Sequence, residues 1–474
     1  MKTFNNTIGF NYYRREIFAL IVIIGLAMGF IHFLHFSPML LIFAALSFLG
    51  LILLINYPFL ALLIDLIFVY ILVGTSSDIY SGWSYKMFSF ISILSLLLYK
   101  ISNRQRFAYS YLSDIMLLSG YVVFLILSSI INSVSIIFDV LIIMLMKYMI
   151  TFMMINIIDT KQLLIIYFKG FVVVGTINNI VGILQVILNL NWYNFGSRAI
   201  GFLVNPNGVG YLQVNLIPII FILLAYSTKR IERIILITLF VLCPITAILS
   251  QSRGTMLATF VVMAGIFLIS IRNYYAFFTI IIATIVIAVF WQEPYTERLR
   301  TTLERKELLE EQRGYLYRAA FVMILEHPIL GVGPGQFGNE FVNTYARRVN
   351  APFRRYFVPH NGYLEIMTYA GIPGLLFILS LIGLWIKRFL TGAKEARLLN
   401  DRPTNQMCLF MVVSIIGFLV VSAFETLIEV KNFYYLMGLN TVIMNLIAKE
   451  TETNKGFQSR NSIKIPYQQA SENT

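Results

Sequence analysis

Residues 234–271 read IILITLFVLCPITAILS, then QSRG from 251, then TMLATFVVMAGIFLISI from 255. Each flanking run is apolar throughout and, at ~1.5 Å rise per residue, long enough to span most of a ~30 Å hydrocarbon core. The break between them, Gln251-Ser252-Arg253-Gly254, leaves room only for a tight turn. The stretch therefore predicts two spanning helices in hairpin order, with a guanidinium held at the membrane edge. Burying an arginine there is costly without a partner, so Arg253 is either a functional residue or a headgroup contact.

The pattern repeats along the chain. Of 474 residues, 58% are hydrophobic and 12% charged, against about 25% charged in a soluble domain. Apolar length and flanking charge predict about 14 spans. They lie near 17–34, 39–55, 58–74, 86–99, 112–131, 136–158, 163–188, 209–226, 234–250, 255–271, 275–291, 363–386, 406–424 and 432–448. The expected fold is all-α, a polytopic membrane helical bundle. Spans occupy residues 1–291 and 363–448, a large polar loop fills 292–362, and 449–474 has the polar composition of a flexible tail.

The net charge of +13 is explained mostly by short turns rather than by a nucleic-acid partner. Lys100, Arg104 and Arg106, then Lys229, Arg230 and Arg233, then Arg272, then Lys387 to Arg402, and the tail cations fall on the cytoplasmic side when the N-terminus does. Arg14 and Arg15 precede a first helix without a clear cleavage site, so it reads as retained. The two cysteines, Cys243 and Cys408, lie inside apolar runs and form neither a disulfide framework nor a metal-ligand spacing.

In this threading the loop at 189–208, the turn at Arg253 and the long loop all emerge on the outer face. A connection of roughly 70 residues is far longer than usual and is commonly functional or disordered; helical periodicity, aromatics and turn residues here weigh against disorder. Inside it, Thr301–Glu311 has the pattern of a surface helix, and a second helix from about Tyr315 to Glu326 ends at His327-Pro328. Gly331-Val332-Gly333-Pro334-Gly335 follows; without a Gly-Lys-Ser/Thr ending it favours tight turns over a phosphate cradle. Arg313 stands at the joint between the two helices and is a candidate ligand contact. Arg347, Arg348, Arg354 and Arg355 interleave with Tyr345, Phe353, Tyr356 and Phe357. Guanidinium forks suit phosphate oxygens and aromatic faces suit sugars, while attraction to anionic lipid accounts for the same pattern.

Arg198 precedes Asn205-Pro206-Asn207-Gly208, a turn signal, and fits either an anion site or an arginine snorkelling to headgroups. His360 sits where the loop re-enters the membrane, with Asn361 beside it and Glu365 about a turn further on. A lone histidine is usually structural, yet its reference pKa makes it the natural base near neutral pH. Asp65, Asp139, Lys147 and Lys169 lie in or at the edges of spans, where function and bonds between helices are both open. The chain has no Asp-x-Asp, no zinc spacing and no Gly-x-Ser-x-Gly, which disfavours a sugar-nucleotide enzyme of the soluble kind.

Together these elements resemble the O-antigen ligase and polymerase superfamily of bacterial membrane glycosyltransferases. The resemblance runs through Arg198 with Asn205-Pro206-Asn207, Ser252-Arg253-Gly254, and Arg313 followed by Tyr317, where a tryptophan is common. It continues through Glu326-His327-Pro328, Gly331 to Gly335, His360-Asn361 and Gly371-Ile372-Pro373-Gly374, covering roughly 195–385. It implies a GT-C-like bundle in the bacterial inner membrane with its site on the outer face. The implied donor is a polyprenyl-diphosphate-linked oligosaccharide, used without nucleotide, metal or other cofactor. By position, Arg198 and Arg253 look like the diphosphate-binding arginines and His360 like the essential histidine; Arg313, Asn361, Arg354 and Arg355 are the accompanying substrate-binding candidates. The expected activity is polysaccharide polymerisation, with ligation of finished glycan as the alternative and export of the lipid-linked repeat as a third reading. Membrane lipids, a repeat-unit flippase and a chain-length regulator are the partners implied.

Overall fold

The computed structural model describes residues 57–67, 92–135, 137–190, 198–203, 205–270, 312–428 and 430–462, with side chains as far as 452. Every regular element among them is helical. Apart from short helical turns between Phe337 and Arg348, they are in chain order α1 (Pro58–Ile67), α2 (Ser92–Ser102), α3 (Leu112–Ile131), α4 (Ile137–Ile157), α5 (Lys161–Ile187) and α6 (Pro206–Tyr226). Then come α7 (Arg230–Leu249), α8 (Arg253–Ser270), α9 (312–326), α10 (Gly362–Leu398), α11 (Arg402–Ser422) and α12 (Lys431–Ser462). Eight of these, α3 to α8 with α10 and α11, are long and apolar enough to cross a membrane.

The expected spans at 17–34, 39–55 and 275–291, and the surface helix at Thr301–Glu311, lie outside the described residues. Those at 58–74 and 86–99 are described in part, as α1 and α2. The expected span at 363–386 continues as helix to Leu398. The polar segment after 448 also begins as helix, since α12 runs on to Ser462. Extending a helix already nucleated by a packed span needs no new nucleus, so polar residues follow the apolar ones into it.

α6 buries residues on all sides from Val209 to Leu223 and is therefore the central helix. It packs against α5, α7, α8 and α11. Small residues set these approaches, as usual where lipid replaces water as solvent: a Cβ on Gly210 would lie 3.0 Å from Thr255 Oγ1, and one on Gly417 2.3 Å from Val262. Asn205 caps α6 by accepting from the Gly208 N–H at 2.8 Å, and Pro206 takes the first position. The N-terminus of α6 thus lies in the middle of one end of the bundle, called here the upper end.

Among the described residues, Lys100, Lys229, Arg230, Arg233, Lys387 and Arg388, which the sequence reading puts on the cytoplasmic side, lie toward the lower end, where ion pairs join the helices. Lys161 at the start of α5 binds Asp401 at 2.8 Å and Glu450 at 2.7 Å, joining α5, α11 and α12. Arg388 on α10 pairs with the fully buried Asp114 of α3 at 2.6 Å and lies 4.1 Å from the centroid of the Tyr111 ring. A buried pair of this kind costs desolvation, and removing one partner alone leaves an uncompensated charge.

α10 is broken near its upper end. Ala370 (φ −134°, ψ 16°) and Gly371 (φ 70°, ψ −175°) leave the helical region. The freed backbone groups bond to the connection after α9: Val332 N–H donates to Thr368 O at 2.7 Å, and Ile372 N–H to Pro328 O at 2.8 Å. Irregular backbone at membrane depth is tolerated only where protein satisfies it. Gly331 (φ +66°) and Gly371 make this interlock possible, because a Cβ on either would lie 2.3 Å or less from a facing carbonyl oxygen. The glycine-rich run is a clamp of tight turns, as its sequence suggested.

Candidate functional site

The upper end is built from four connections and the start of α10. Residues 198–203 lead into α6 and are pinned to α5. Gln185 accepts from the Ile200 and Gly201 N–H groups (3.0 and 2.8 Å) and donates to Gly201 O at 2.8 Å. Asn178 accepts from Phe202 N–H at 2.9 Å, and Ala199 N–H bonds Leu249 O at the end of α7 at 3.0 Å. Arg198 is thereby held beside the α7–α8 turn. It is half-buried, and that burial pulls its guanidinium pKa below the ordinary value.

The α7–α8 turn carries Gln251 at φ +53° and then Ser252. The Ser252 hydroxyl donates to Asn207 Oδ1 at 2.6 Å and accepts from Thr255 N–H at 3.2 Å. Arg253 is the first residue of α8 and is exposed on this face. Gly254 lets the α11–α12 connection come close: a Cβ there would meet Phe424 at 2.7 Å.

That connection, residues 423–430, supplies a group the sequence reading passed over. Asn207 Nδ2 donates to Glu425 Oε2 at 2.8 Å and to Phe424 O at 3.3 Å. The Tyr211 hydroxyl bonds Thr426 O. Gly362, the first residue of α10, packs on the same segment: a Cβ would lie 2.5 Å from Leu427 N and 2.9 Å from Glu425 O. Four elements distant in sequence therefore meet around Asn207 and Glu425. An acidic residue between two apolar runs was the available signal, by the same rule that singled out Asp65 and Lys147.

His360 closes the site. Its backbone is left-handed (φ +49°), a costly state for a residue with a Cβ. Its Nδ1 is buried without a hydrogen-bond partner among the described residues. Burial lowers the imidazole pKa; Glu425 works against that and Arg313 adds to it, so both charges lie within electrostatic reach. Asn361 caps α10, its side-chain oxygen accepting from Tyr363 and Leu364 N–H at 3.0 and 3.1 Å. Its carbonyl is committed to the helix, and its amide N–H groups are the part left for a ligand. Glu365, buried one turn on, accepts from the Tyr369 hydroxyl at 3.3 Å.

Arg313 lies in the first turn of α9. Tyr315 meets Phe353 edge-on at 6.1 Å, and Phe353 contacts Phe341 (5.6 Å) and Phe357 (5.5 Å). This aromatic cluster holds the approach to His360 against α9. Arg354 and Arg355 flank the cluster and are exposed. Arg348, from the same basic patch, is committed elsewhere: it pairs with Glu326 at 2.6 Å, beside the Tyr345 hydroxyl bond to that carboxylate at 2.7 Å. Tyr345 and Arg348 hold the Glu326 carboxyl below its ordinary pKa.

Arg198, Arg253, Arg313, His360 and Asn361 thus share the upper end, while Arg354 and Arg355 border it. Among the described residues no group of three or more His, Cys, Asp or Glu is arranged to hold a metal ion. Residues 237–379 match the family model described as O-antigen ligase, which supports the resemblance to the O-antigen ligase and polymerase superfamily. The match begins within α7 and ends within α10, so it contains Arg253, Arg313 and His360 but neither Arg198 nor Glu425. No curated protein matches the chain significantly. Eight apolar helices and this domain indicate a multi-pass membrane protein of glycosyltransferase-like type that makes or transfers cell-surface glycan.

Proposed function

We propose that this chain is a cell-surface polysaccharide polymerase, moving a glycan from a polyprenyl-diphosphate carrier onto the non-reducing end of a lipid-linked repeat unit. One observation supports the chemistry: the segments bearing Arg198, Arg253 and Arg313 lie at the same end of the bundle as His360, with Arg313 within electrostatic reach of it. A diphosphate is a competent leaving group, and the enzyme's main task is to put cations where negative charge grows on it. Arg198 and Arg253 take that role, and Arg313 joins them from α9. Each guanidinium offers a planar fork to phosphate oxygens.

The acceptor hydroxyl gives its proton to His360 as its oxygen bonds the anomeric carbon. The bond from that carbon to the diphosphate oxygen breaks, and its electron pair stays on the diphosphate. Burial and Arg313 favour the neutral imidazole, the form able to take a proton. The Asn361 amide is positioned for the sugar or the phosphate. The upper end faces the outside of the bacterial inner membrane on this reading, following the cation bias of the lower end.

The second reading, ligation of finished glycan to another acceptor, is favoured by the description of the matched family model. The glycan made by a deletion strain separates the two. Single capped repeats support a polymerase, and full-length chains left on the lipid carrier support a ligase. Purified protein that translocates a labelled lipid-linked sugar in liposomes without forming glycosidic bonds would overturn both.

A further inference from the structure

We propose that Glu425 is the charge partner of His360, stabilising the imidazolium formed when His360 takes the acceptor's proton. This rests on the reading of His360 as the base. Glu425 comes from the α11–α12 connection, outside residues 237–379, and nothing in the sequence linked it to His360. Its placement is geometric first. Its carboxylate is held by Asn207, itself held by Ser252 of the Ser252-Arg253-Gly254 turn. Its backbone oxygen lies against Gly362, two residues after His360, at a distance no side chain would permit. Through Asn207 the carboxylate is tied to the arginine-bearing turn and to the start of the central helix, while the backbone oxygen of the same residue packs on the histidine-bearing corner.

The physical need is specific. A buried imidazole is a poor proton acceptor because burial penalises its charged form. Arg313 adds to that penalty, and Glu425 offsets it. The other titratable and charged groups at this end are Arg198 before α6, Tyr211 on α6, Arg253 on α8, and Tyr363, Glu365 and Tyr369 on α10. The Tyr211 hydroxyl is bonded to Thr426 O, Tyr363 to Leu419 O at 2.7 Å, and Glu365 accepts from Tyr369. Glu425 therefore acts through His360 as a positioning and electrostatic residue. The competing explanation is that it only ties the α11–α12 connection to Asn207. Glu425→Gln separates the two, because the amide oxygen still accepts from Asn207 while the charge is gone.

The test uses purified full-length protein in nanodiscs with a labelled lipid-diphosphate oligosaccharide. Glu425→Gln should retain donor binding, lose at least about tenfold in kcat, corresponding to one pKa unit of lost imidazolium stabilisation, and move the acid limb of the kcat profile to lower pH. Arg313→Gln should move that limb the other way. A second readout needs no turnover: the pH dependence of His360 modification by diethyl pyrocarbonate, with His32, His35 and His327 replaced. Glu425→Gln should lower its midpoint. If wild-type protein forms no glycosidic bond but the midpoint still shifts, the glycan-transfer reading fails and the pairing stands. An unshifted midpoint overturns the pairing, as does loss of donor binding in Glu425→Gln with the midpoint unchanged.

Discussion

Asn207 and Glu425 are joined by a 2.8 Å hydrogen bond across 218 positions of sequence, and the other side of the Asn207 amide accepts from Ser252 at 2.6 Å. One side chain at the start of the central helix therefore aligns the turn carrying Arg253 with the connection that packs on Gly362 at the start of α10. Replacing Asn207 with Ala should destabilise the protein by about 1–3 kcal/mol, because Glu425, Phe424 O and Ser252 each lose a bond in a partly buried setting. Asn207→Asp should be worse, since it sets a second carboxylate against Glu425. Thermal unfolding in detergent, read beside transfer activity, checks this; an Asp variant as stable as wild type would refute the bridging role.

Arg198 and Arg253 act on the diphosphate through forked, charge-assisted bonds in the proposed mechanism. Lysine supplies charge without the planar fork. Arg253→Lys should lose much of the transfer activity and Arg253→Ala nearly all, with Arg198 following the same order. Full activity in Arg253→Lys would reduce its role to general attraction.

His360→Ala should lower kcat by roughly 10²–10⁴-fold while donor binding persists, the range for loss of a general base. If donor binding disappears as well, His360 is a phosphate ligand. The wild-type pH profile carries a further expectation. Because burial lowers the pKa of His360, the imidazole stays neutral below the usual value of about 6.5. Activity should persist there and fall only as the pH drops through the histidine's own lower pKa. An acid limb above about 6.5 would contradict this assignment.

The clamp between Gly331 and the break in α10 should tolerate no side chain. Gly331→Ala combines a positive φ with a 2.3 Å approach to Thr368 O. It should destabilise by more than about 1 kcal/mol, seen as lower yield and a lower Tm. Gly314, with nothing within 4 Å of its Cβ position, is the control and should accept Ala with little change.

Cysteines introduced at Arg198, Arg253 and Asn339 should react with an impermeant reagent from outside the cell, and one at Lys394 should not. Both native cysteines are buried, which keeps the background low. If Arg253 is labelled only from the cytoplasm, the proposed outer-face site fails.

Features that depend on neighbours a few residues apart are legible in the chain alone. Apolar length set α3 to α8 and α11 to within a few residues, the Ser252-Arg253 break gave the α7–α8 hairpin, and Asn205-Pro206-Asn207-Gly208 marked the turn that leads into α6. Caps and turns are satisfied locally, so their residue types announce them. Tertiary structure decided what depends on packing. It alone showed that Arg348 of the basic patch is occupied by Glu326, and that α10 breaks to receive the turn after α9. It alone set the α11–α12 connection, with Glu425, against Gly362, two residues after His360. Glu425 stands between two apolar runs like other polar residues at helix ends, and its hydrogen-bond partner Asn207 is remote in the chain. A contact of that kind leaves no local pattern, because it follows from how α6, α10 and α11 stack once their surfaces have chosen one another.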